Sequence, residues 1–300
     1  MKVLITGSNG FIGTNLVGFL HQVLSINKLT LVDRGLRMYN IASPRYQLMD
    51  CGDVESLPSL GQHDIVIHLA GETRVEDSFH NPVPFFDNNV ATTGKLLYSA
   101  HRMGVKKFIF FSTCGALFDT SDRVAEDSQP NPSSIYGATK LACEDLVHAA
   151  GKVYGMETCC VRPTNIFGPF SSHKKSIVAD WCKRLIAGEQ LEITGDGEQT
   201  RDFVPVQRVV STVAGLLPMN QIIPKILHIC SGTSITINEL CDKFDAAANA
   251  LDIPFTGCTY VNKRKEVRNV RASSIFRQPE KEEDIYDFLT DTIEWFKDNA

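Results

Sequence analysis

Thr6–Gly13 reads TGSNGFIG, with Gly7, Gly10 and Gly13 three residues apart. The β-branched run Val3–Thr6 leads into this stretch and an amphipathic segment, Phe11–Leu24, leads out of it. A strand, a glycine turn and a helix start therefore follow without interruption. At such a junction the first glycine lets the chain leave the strand in a tight turn, and the second lets the backbone approach a pyrophosphate. The third lets the helix pack on the sheet, with its N-terminal amides and dipole facing the phosphates. Glycine spacing alone is a weak signal; its place between strand and helix predicts a dinucleotide site. Asp33 closes the next apolar run, Leu29–Asp33, twenty residues after Gly13. A carboxylate there accepts both adenosine-ribose hydroxyls. It also repels a 2′-phosphate, which favours NAD over NADP, although Arg34 and Arg37 lie close enough in sequence to neutralise one.

Working outward, Asp64–Ala70, Lys107–Ser112 and Glu157–Pro163 read as further strands, with a weaker one at Tyr46–Met49. They are short and almost wholly apolar, as in a sheet covered on both faces. Helical patterns at Phe85–Met103 and Ala138–Tyr154 alternate with them. This predicts an α/β fold, a Rossmann-type doubly wound parallel sheet over residues 1–163. After Pro163 the alternation loosens. Helices are expected near Ile177–Ala187, Val209–Leu217, Asn238–Leu251 and Glu283–Lys297, the last with Tyr286, Phe288, Trp295 and Phe296 as core. Residues 164–300 are expected to form mainly a smaller lobe, with part of 201–232 returning to the first domain.

The 300 residues carry 43% hydrophobic and 22% charged side chains, ordinary for a soluble globular enzyme. A net charge of −5 without basic runs gives no electrostatic footprint for nucleic acid or an anionic membrane. No apolar stretch reaches the roughly 18 residues that would span a bilayer. The first strand begins at Lys2 or Val3, so no signal peptide is expected. Nine cysteines without a Cys-x-x-Cys pair suit neither a zinc site nor a disulfide framework. They predict a reduced, cytoplasmic protein without a bound metal, whose cysteines fill core space.

Tyr136 and Lys140 form a Tyr-x-x-x-Lys pair at the opening of a helix, after the turn-prone SQPNPSS. Residues i and i+4 share a helix face. An ammonium close to a phenol favours phenolate, lowering a pKa near 10 towards that of a useful base. A helix-face tyrosine with a surface lysine is the bland alternative.

With this pair the chain resembles the extended short-chain dehydrogenase/reductase family, and within it the nucleotide-sugar epimerases and dehydratases. HLAGETRVEDSFHNP (His68–Pro82) is similar to the family's segment bordering the cofactor, and DNNVATTGKLL (Asp87–Leu97) to its Asn-Val-x-Gly-Thr helix, with Asn89 as the asparagine. RPTNIFGP (Arg162–Pro169) looks like the Asn-Val-Tyr-Gly-Pro string, with Asn165 in the sugar-nucleotide position. GDGEQTRDFVPV (Gly195–Val206) matches a Gly-Asp-Gly-x-Gln-x-Arg-Asp-Phe-Val string whose arginine, here Arg201, meets the diphosphate. SGTSITINEL (Ser231–Leu240) has the family's late Ser-Gly form. The strings run over nearly the whole chain in order.

The resemblance implies NAD held by Gly7, Gly10, Phe11, Ile12, Gly13, Asp33, Asp50, Leu69, Ala70, Asn89, Tyr136 and Lys140. It implies a nucleotide-sugar substrate bound by the C-terminal lobe, with Thr73, Thr113, Asn165, Arg201 and either Lys263 or Arg264 in contact. The catalytic residues that the resemblance implies are Tyr136, Lys140 and a hydroxyl after the fifth strand. Within FSTCGALFD (Phe111–Asp119), counting forward from the strand gives Thr113; counting back from Phe118-Asp119, where the family has Tyr-Gly, gives Cys114. Thr113 is favoured, because some epimerases of the family look like Ser-Thr-Gly-Gly-Ala-Ile-Tyr-Gly, one residue longer; the assignment matters, since a thiol is a weak donor.

The expected chemistry is transient oxidation of the sugar at C4 followed by hydride return to its other face, a 4-epimerisation of a UDP-hexose or UDP-N-acetylhexosamine. The family's 4,6-dehydratases carry Asp-Glu directly after the catalytic threonine; Cys114 and Gly115 stand there and disfavour dehydration. A reductase or decarboxylase of the family, and a non-catalytic NAD-binding protein, remain alternatives. The family's histidine after Arg-Asp-Phe-Val is Pro205 and its aspartate two further on is Gln207, while its late Arg-Pro-Gly-Asp-type string reads KRKEV (Lys263–Val267). The resemblance also implies a homodimer formed by the Phe85–Met103 and Ala138–Tyr154 helices.

Overall fold

The structure is a computed structural model that describes residues 1–23, 29–35, 46–118, 123–261, 271–272 and 285–299. It divides into two compact units. The first takes the described residues of Met1–Asp119, Asp127–Pro163 and Val210–Leu227; the second takes those of Thr120–Glu126, Thr164–Val209 and His228–Ala300.

The chain opens with β1 (Val3–Thr6), α1 (Phe11–Val23), β2 (Leu29–Asp33), β3 (Tyr46–Leu48), β4 (Ile65–His68) and α2 (Val75–His80). Next come α3 (Val83–Phe85), a π-helical turn over Phe86–Ala91, α4 (Thr92–Arg102), β5 (Lys107–Phe111), β6 (Arg123–Val124), α5 (Ile135–Tyr154) and β7 (Glu157–Pro163). The remainder holds β8 (Asn165–Phe167), α6 (Ile177–Ile186), β9 (Leu191–Thr194), β10 (Thr200–Arg201), β11 (Phe203–Pro205), α7 (Val206–Ala214) and β12 (Ile226–Ile229). It closes with β13 (Ile235–Thr236), α8 (Ile237–Ala250), β14 (Cys258–Val261), β15 (Arg271–Ala272) and α9 (Ile285–Asn299).

The main sheet has seven strands in the order β12-β7-β5-β4-β1-β2-β3. β1 pairs in parallel with β2 (Val3 opposite Leu29) and with β4 (Val3 opposite Ile65). β4–β5, β5–β7 and β2–β3 are parallel too. Val3, Leu4, Ile5, Ile65, Val66 and Ile67 are fully buried, which is why these strands carry no polar alternation. This is the Rossmann-type sheet read from the sequence. The order reverses at β1, where α/β sheets of this kind bind ligands beyond the strand ends.

Three boundaries differ from expectation. α5 begins at Ile135 rather than Ala138, because the Ser134 side chain caps it by accepting from the Gly137 N–H; Gly155, left-handed at φ 69°, ends it. The helix expected over Phe85–Met103 is broken into α3, the π turn and α4. α7 starts at Val206, three residues early. β12 and the short strand pairs of the second unit went unread, being two to four residues long.

The second unit has its own core, in which Phe167, Trp181, Phe203, Phe244, Leu289 and Phe296 are buried together. Tyr286, Phe288 and Trp295 pack against it partly buried. Two-stranded pairs β8–β11, β9–β14 and β10–β13 frame it. Cys51, Cys114, Cys143, Cys159, Cys160, Cys182 and Cys230 are buried outside any disulfide, as core-filling residues. Cys241 of α8 and Cys258 of β14 are joined by a disulfide, which corrects the expectation of none. The two lie 17 residues apart and meet only when the strand folds back beside the helix, so no local spacing announces them. Among the described residues no helix is long and apolar enough to cross a membrane.

Candidate active site

The glycine turn leaves β1 with Gly7 at φ +69°, a left-handed conformation that favours glycine. A Cβ on Gly7 would come within 2.6 Å of the Ala70 nitrogen, and one on Gly13 would collide with the Gly7 carbonyl. Gly10 is different: a Cβ there would meet only the Gly7 oxygen, at 3.3 Å. Its outer side is the open face of the turn. The Asp33 carboxylate is fixed beside it, accepting from the Asn9 N–H at 2.9 Å and the Gly35 N–H at 3.1 Å. Phe11 is buried under the turn, Ile12, Leu69 and Ala70 are half-buried, and Asp50 is exposed on the loop after β3. A cradle closed to side chains at Gly7 and Gly13, open at Gly10 and flanked by the Asp33 carboxylate fits a dinucleotide.

His68 is fully buried, with its ring nitrogens bonded to the Thr6 hydroxyl at 2.7 Å and the Thr93 hydroxyl at 3.0 Å. Burial, helped by the charge of Lys140, drives its pKa down to about 3. It ties β4 to β1 and α4 as a neutral packing residue. Asn89 is turned inward by the π turn: its Oδ1 accepts from the Glu72 N–H at 2.8 Å, and its Nδ2 donates to the Thr139 hydroxyl at 3.2 Å. Thr73 follows on the exposed side of the same loop.

Tyr136 projects from the first turn of α5, packed with Phe85 and Ala116. Its hydroxyl shares a hydrogen bond with Thr113. Cys114, by contrast, is wholly buried, with its N–H bonded to the Pro163 carbonyl at 2.8 Å. Of the two registers, the fold brings Thr113 to Tyr136. Lys140 lies one turn further on, donating to the Phe111 carbonyl at 2.9 Å and resting 4.8 Å from the centroid of the Phe110 ring. The Tyr136 phenol is pushed up to about 12, chiefly by burial, against the opposing pull of Thr113. That corrects the expectation of a lowered value: desolvation of the buried phenol is the largest effect on it.

Asn165 and Arg201 belong to the second unit. The Asn165 side chain donates to the Asp202 carbonyl at 2.9 Å. Arg201 lines a cavity of about 350 Å³ together with Arg208, Lys243, Ser231 and Thr233. Three cations around one concavity suit an anion. Lys263, Arg264 and Arg37 lie outside the described residues.

Several organising residues escaped the sequence reading. Asp202, 1% exposed, accepts from the Thr164 hydroxyl at 2.8 Å and from the Ser231 and Gly232 N–H groups at 2.9 and 3.1 Å. It thereby joins the loop bearing Asn165 to the late Ser-Gly turn; burial raises its pKa despite these donors. Glu144 of α5 forms a buried ion pair with Arg162 of β7 at 2.6 Å. Its signal was present, since Glu144 repeats the four-residue spacing of Tyr136 and Lys140.

The sequence model of the NAD dependent epimerase/dehydratase family matches residues 3–230. A putative UDP-glucose 4-epimerase of Methanocaldococcus jannaschii is 28% identical over 316 residues, covering 99% of each chain. A dTDP-glucose 4,6-dehydratase of Mycobacterium tuberculosis is 30% identical over 236 residues, covering 74% of this chain and 70% of that one. Among solved structures, UDP-N-acetylglucosamine 4-epimerase from Methanobrevibacter ruminantium M1, in complex with UDP-N-acetylmuramic acid, aligns with a TM-score of 0.87 at 25% identity. It covers 100% of this chain and 99% of its own.

Proposed function

The chain belongs to the NAD dependent epimerase/dehydratase family, and we propose that within it the protein is a nucleotide-sugar 4-epimerase working through a transient 4-keto sugar. The observation that carries this reading is that Thr113, the residue whose side chain interacts with Tyr136, is directly followed by Cys114 and Gly115. Neither of those two can move a proton or eliminate water as the Asp-Glu of a dehydratase would. Relatives named as epimerases and as dehydratases both align, so it is these residues that favour epimerisation.

Bound NAD supplies a reversible hydride acceptor. The protein's part is proton transfer and positioning. Tyr136, as phenolate, takes the proton of the C4 hydroxyl and later returns it, while Thr113 holds the sugar oxygen by hydrogen bond. Lys140 orients the nicotinamide ribose. Burial holds the Tyr136 pKa up at about 12, which opposes the phenolate, and the Thr113 hydrogen bond pulls it down. In the second unit, Arg201, Arg208 and Lys243 receive the diphosphate, and Asn165 meets the sugar nucleotide. The first unit is the NAD-binding domain. UDP-hexoses and UDP-N-acetylhexosamines are the expected substrates.

A homodimer is proposed as well. Tyr98 of α4 and Leu146 and Val153 of α5 are 48%, 37% and 76% exposed, an apolar helix face suited to a second copy; light scattering after gel filtration would read a dimer or a monomer.

The decisive assay is incubation of the protein with UDP-, GDP- and dTDP-sugars, followed by NMR. Inversion at C4 without net NADH is expected. A 4-keto-6-deoxy product would replace the reading with a dehydratase, and stoichiometric cofactor turnover with a reductase or decarboxylase.

A further inference from the structure

Asp33 is followed at once by Arg34, the described cation nearest in sequence to the ribose-binding carboxylate. An arginine at the end of this strand is the side chain that can neutralise a 2′-phosphate, with a planar fork suited to phosphate oxygens. In this chain the guanidinium is already engaged. Its Nη1 donates to Asn88 Oδ1 at 3.0 Å, and its Nη2 lies 4.0 Å from Glu72 Oε1. The Asn88 amide in turn donates to Glu72 Oε1 at 2.9 Å. The three side chains close a polar chain from the end of β2 to the loop after β4 and the π turn. β1 runs between β2 and β4, so this chain bridges the two strands on either side of the one that ends in the glycine turn. Glu72 is itself fixed, because its N–H is bonded to the buried Asn89 at 2.8 Å.

We propose that Glu72, acting with Asn88, sets cofactor choice by holding the Arg34 guanidinium away from the ribose 2′-position, so that the site keeps NAD and rejects its 2′-phosphorylated form. Asp33 supplies the direct repulsion. Glu72 supplies the second half, adding a negative charge and occupying the one described cation that would offset it. The proposal concerns the dinucleotide alone and holds for any reaction of the family.

The test is a binding competition on the full-length protein. Wild type and Glu72→Gln are equilibrated with equal NAD and NADP, and the nucleotides retained are released by denaturation and separated by chromatography. Glutamine keeps an acceptor for Asn88 but loses the charge. Because Arg34 and Glu72 are 57% and 39% exposed, the change is modest: the retained NADP-to-NAD ratio should rise about fivefold in Glu72→Gln. The gain should vanish when Arg34→Ala is added. Asn88→Ala, which removes the Nη1 partner, should move the ratio in the same direction and serves if the first variant folds poorly. An unchanged ratio in folded variants, a gain that persists without Arg34, or a wild type that retains both nucleotides equally would overturn the proposal.

Discussion

Replacing Glu144 by alanine asks how α5, the helix that carries Tyr136 and Lys140, is held to the sheet. Tyr136, Lys140 and Glu144 recur every four residues on α5 and share one face. Glu144 and Arg162 are each 2% exposed. The Arg162 Nε donates to both carboxylate oxygens, at 2.9 and 3.2 Å, and its Nη2 donates to Oε2 at 2.6 Å. The remaining Nη1 is buried without a hydrogen-bond partner, and the guanidinium sits 5.6 Å from the Phe118 ring centroid. Truncation at 144 therefore leaves a buried cation with no counter-charge among the groups bonded to it, a loss of about 3–5 kcal/mol. For a chain of this size that corresponds to a fall in melting temperature of roughly 6–15 °C. Circular dichroism melts of wild type, Glu144→Ala, Arg162→Met and the double variant Glu144→Leu/Arg162→Met would measure it. The double variant should be more stable than either single one, because removing both charges leaves neither stranded. A Glu144→Ala midpoint within about 2 °C of wild type, or a double variant worse than both singles, would refute the reasoning.

Tyr136→Phe should lower turnover by about 10²–10⁴-fold while leaving bound NAD in place; near-normal turnover by NMR would remove Tyr136 from the proton step. Thr113→Ala should cost about a hundredfold and Cys114→Ala little, and the reverse order would transfer the role to the thiol. Gly7→Ala combines a left-handed φ of +69° with a Cβ 2.6 Å from the Ala70 nitrogen; it should abolish NAD retention, measured chromatographically after denaturation. For His68, a folded pKa of about 3 lies below the unfolded value of about 6.5. Stability is thus full above pH 6.5 and lost as pH falls towards 3, and urea unfolding of His68→Gln should show a shallower acid slope than wild type. For Tyr136 the sign is opposite: a folded pKa of about 12 against about 10 unfolded favours the native state below pH 10. That contribution, on the order of 2 kcal/mol, disappears between pH 10 and 12, so alkaline unfolding of Tyr136→Phe should be the flatter of the two.

What could be read from the sequence follows the range of the interactions involved. The glycine turn is legible because everything it needs lies within Val3–Gly13 and its partner carboxylate ends the next strand. Tyr136 and Lys140 are legible for the same reason, one helical turn apart. The Thr113 register is a harder case. Counting from either flank differs by one residue, and what distinguishes the two is long-range: Thr113 interacts with Tyr136 of α5, while Cys114 is wholly buried. The π turn is harder still, since one widened turn in a helix leaves the apolar period nearly unchanged while swinging Asn89 into the interior. In the second unit the determinants are scattered: Asp202 organises residues 38 positions before it and 29 after it, and the cations around the 350 Å³ cavity come from β10, α7 and α8. Composition cannot report such a meeting. The same separation sets what each end of the site can vary. The glycine turn tolerates few substitutions at Gly7 and Gly13, which the Ala70 amide and the Gly7 carbonyl close to a side chain. A cavity assembled from distant side chains can exchange one cation for another, and under the proposed function an exchange at Arg208 or Lys243 should alter substrate choice without disturbing the glycine turn.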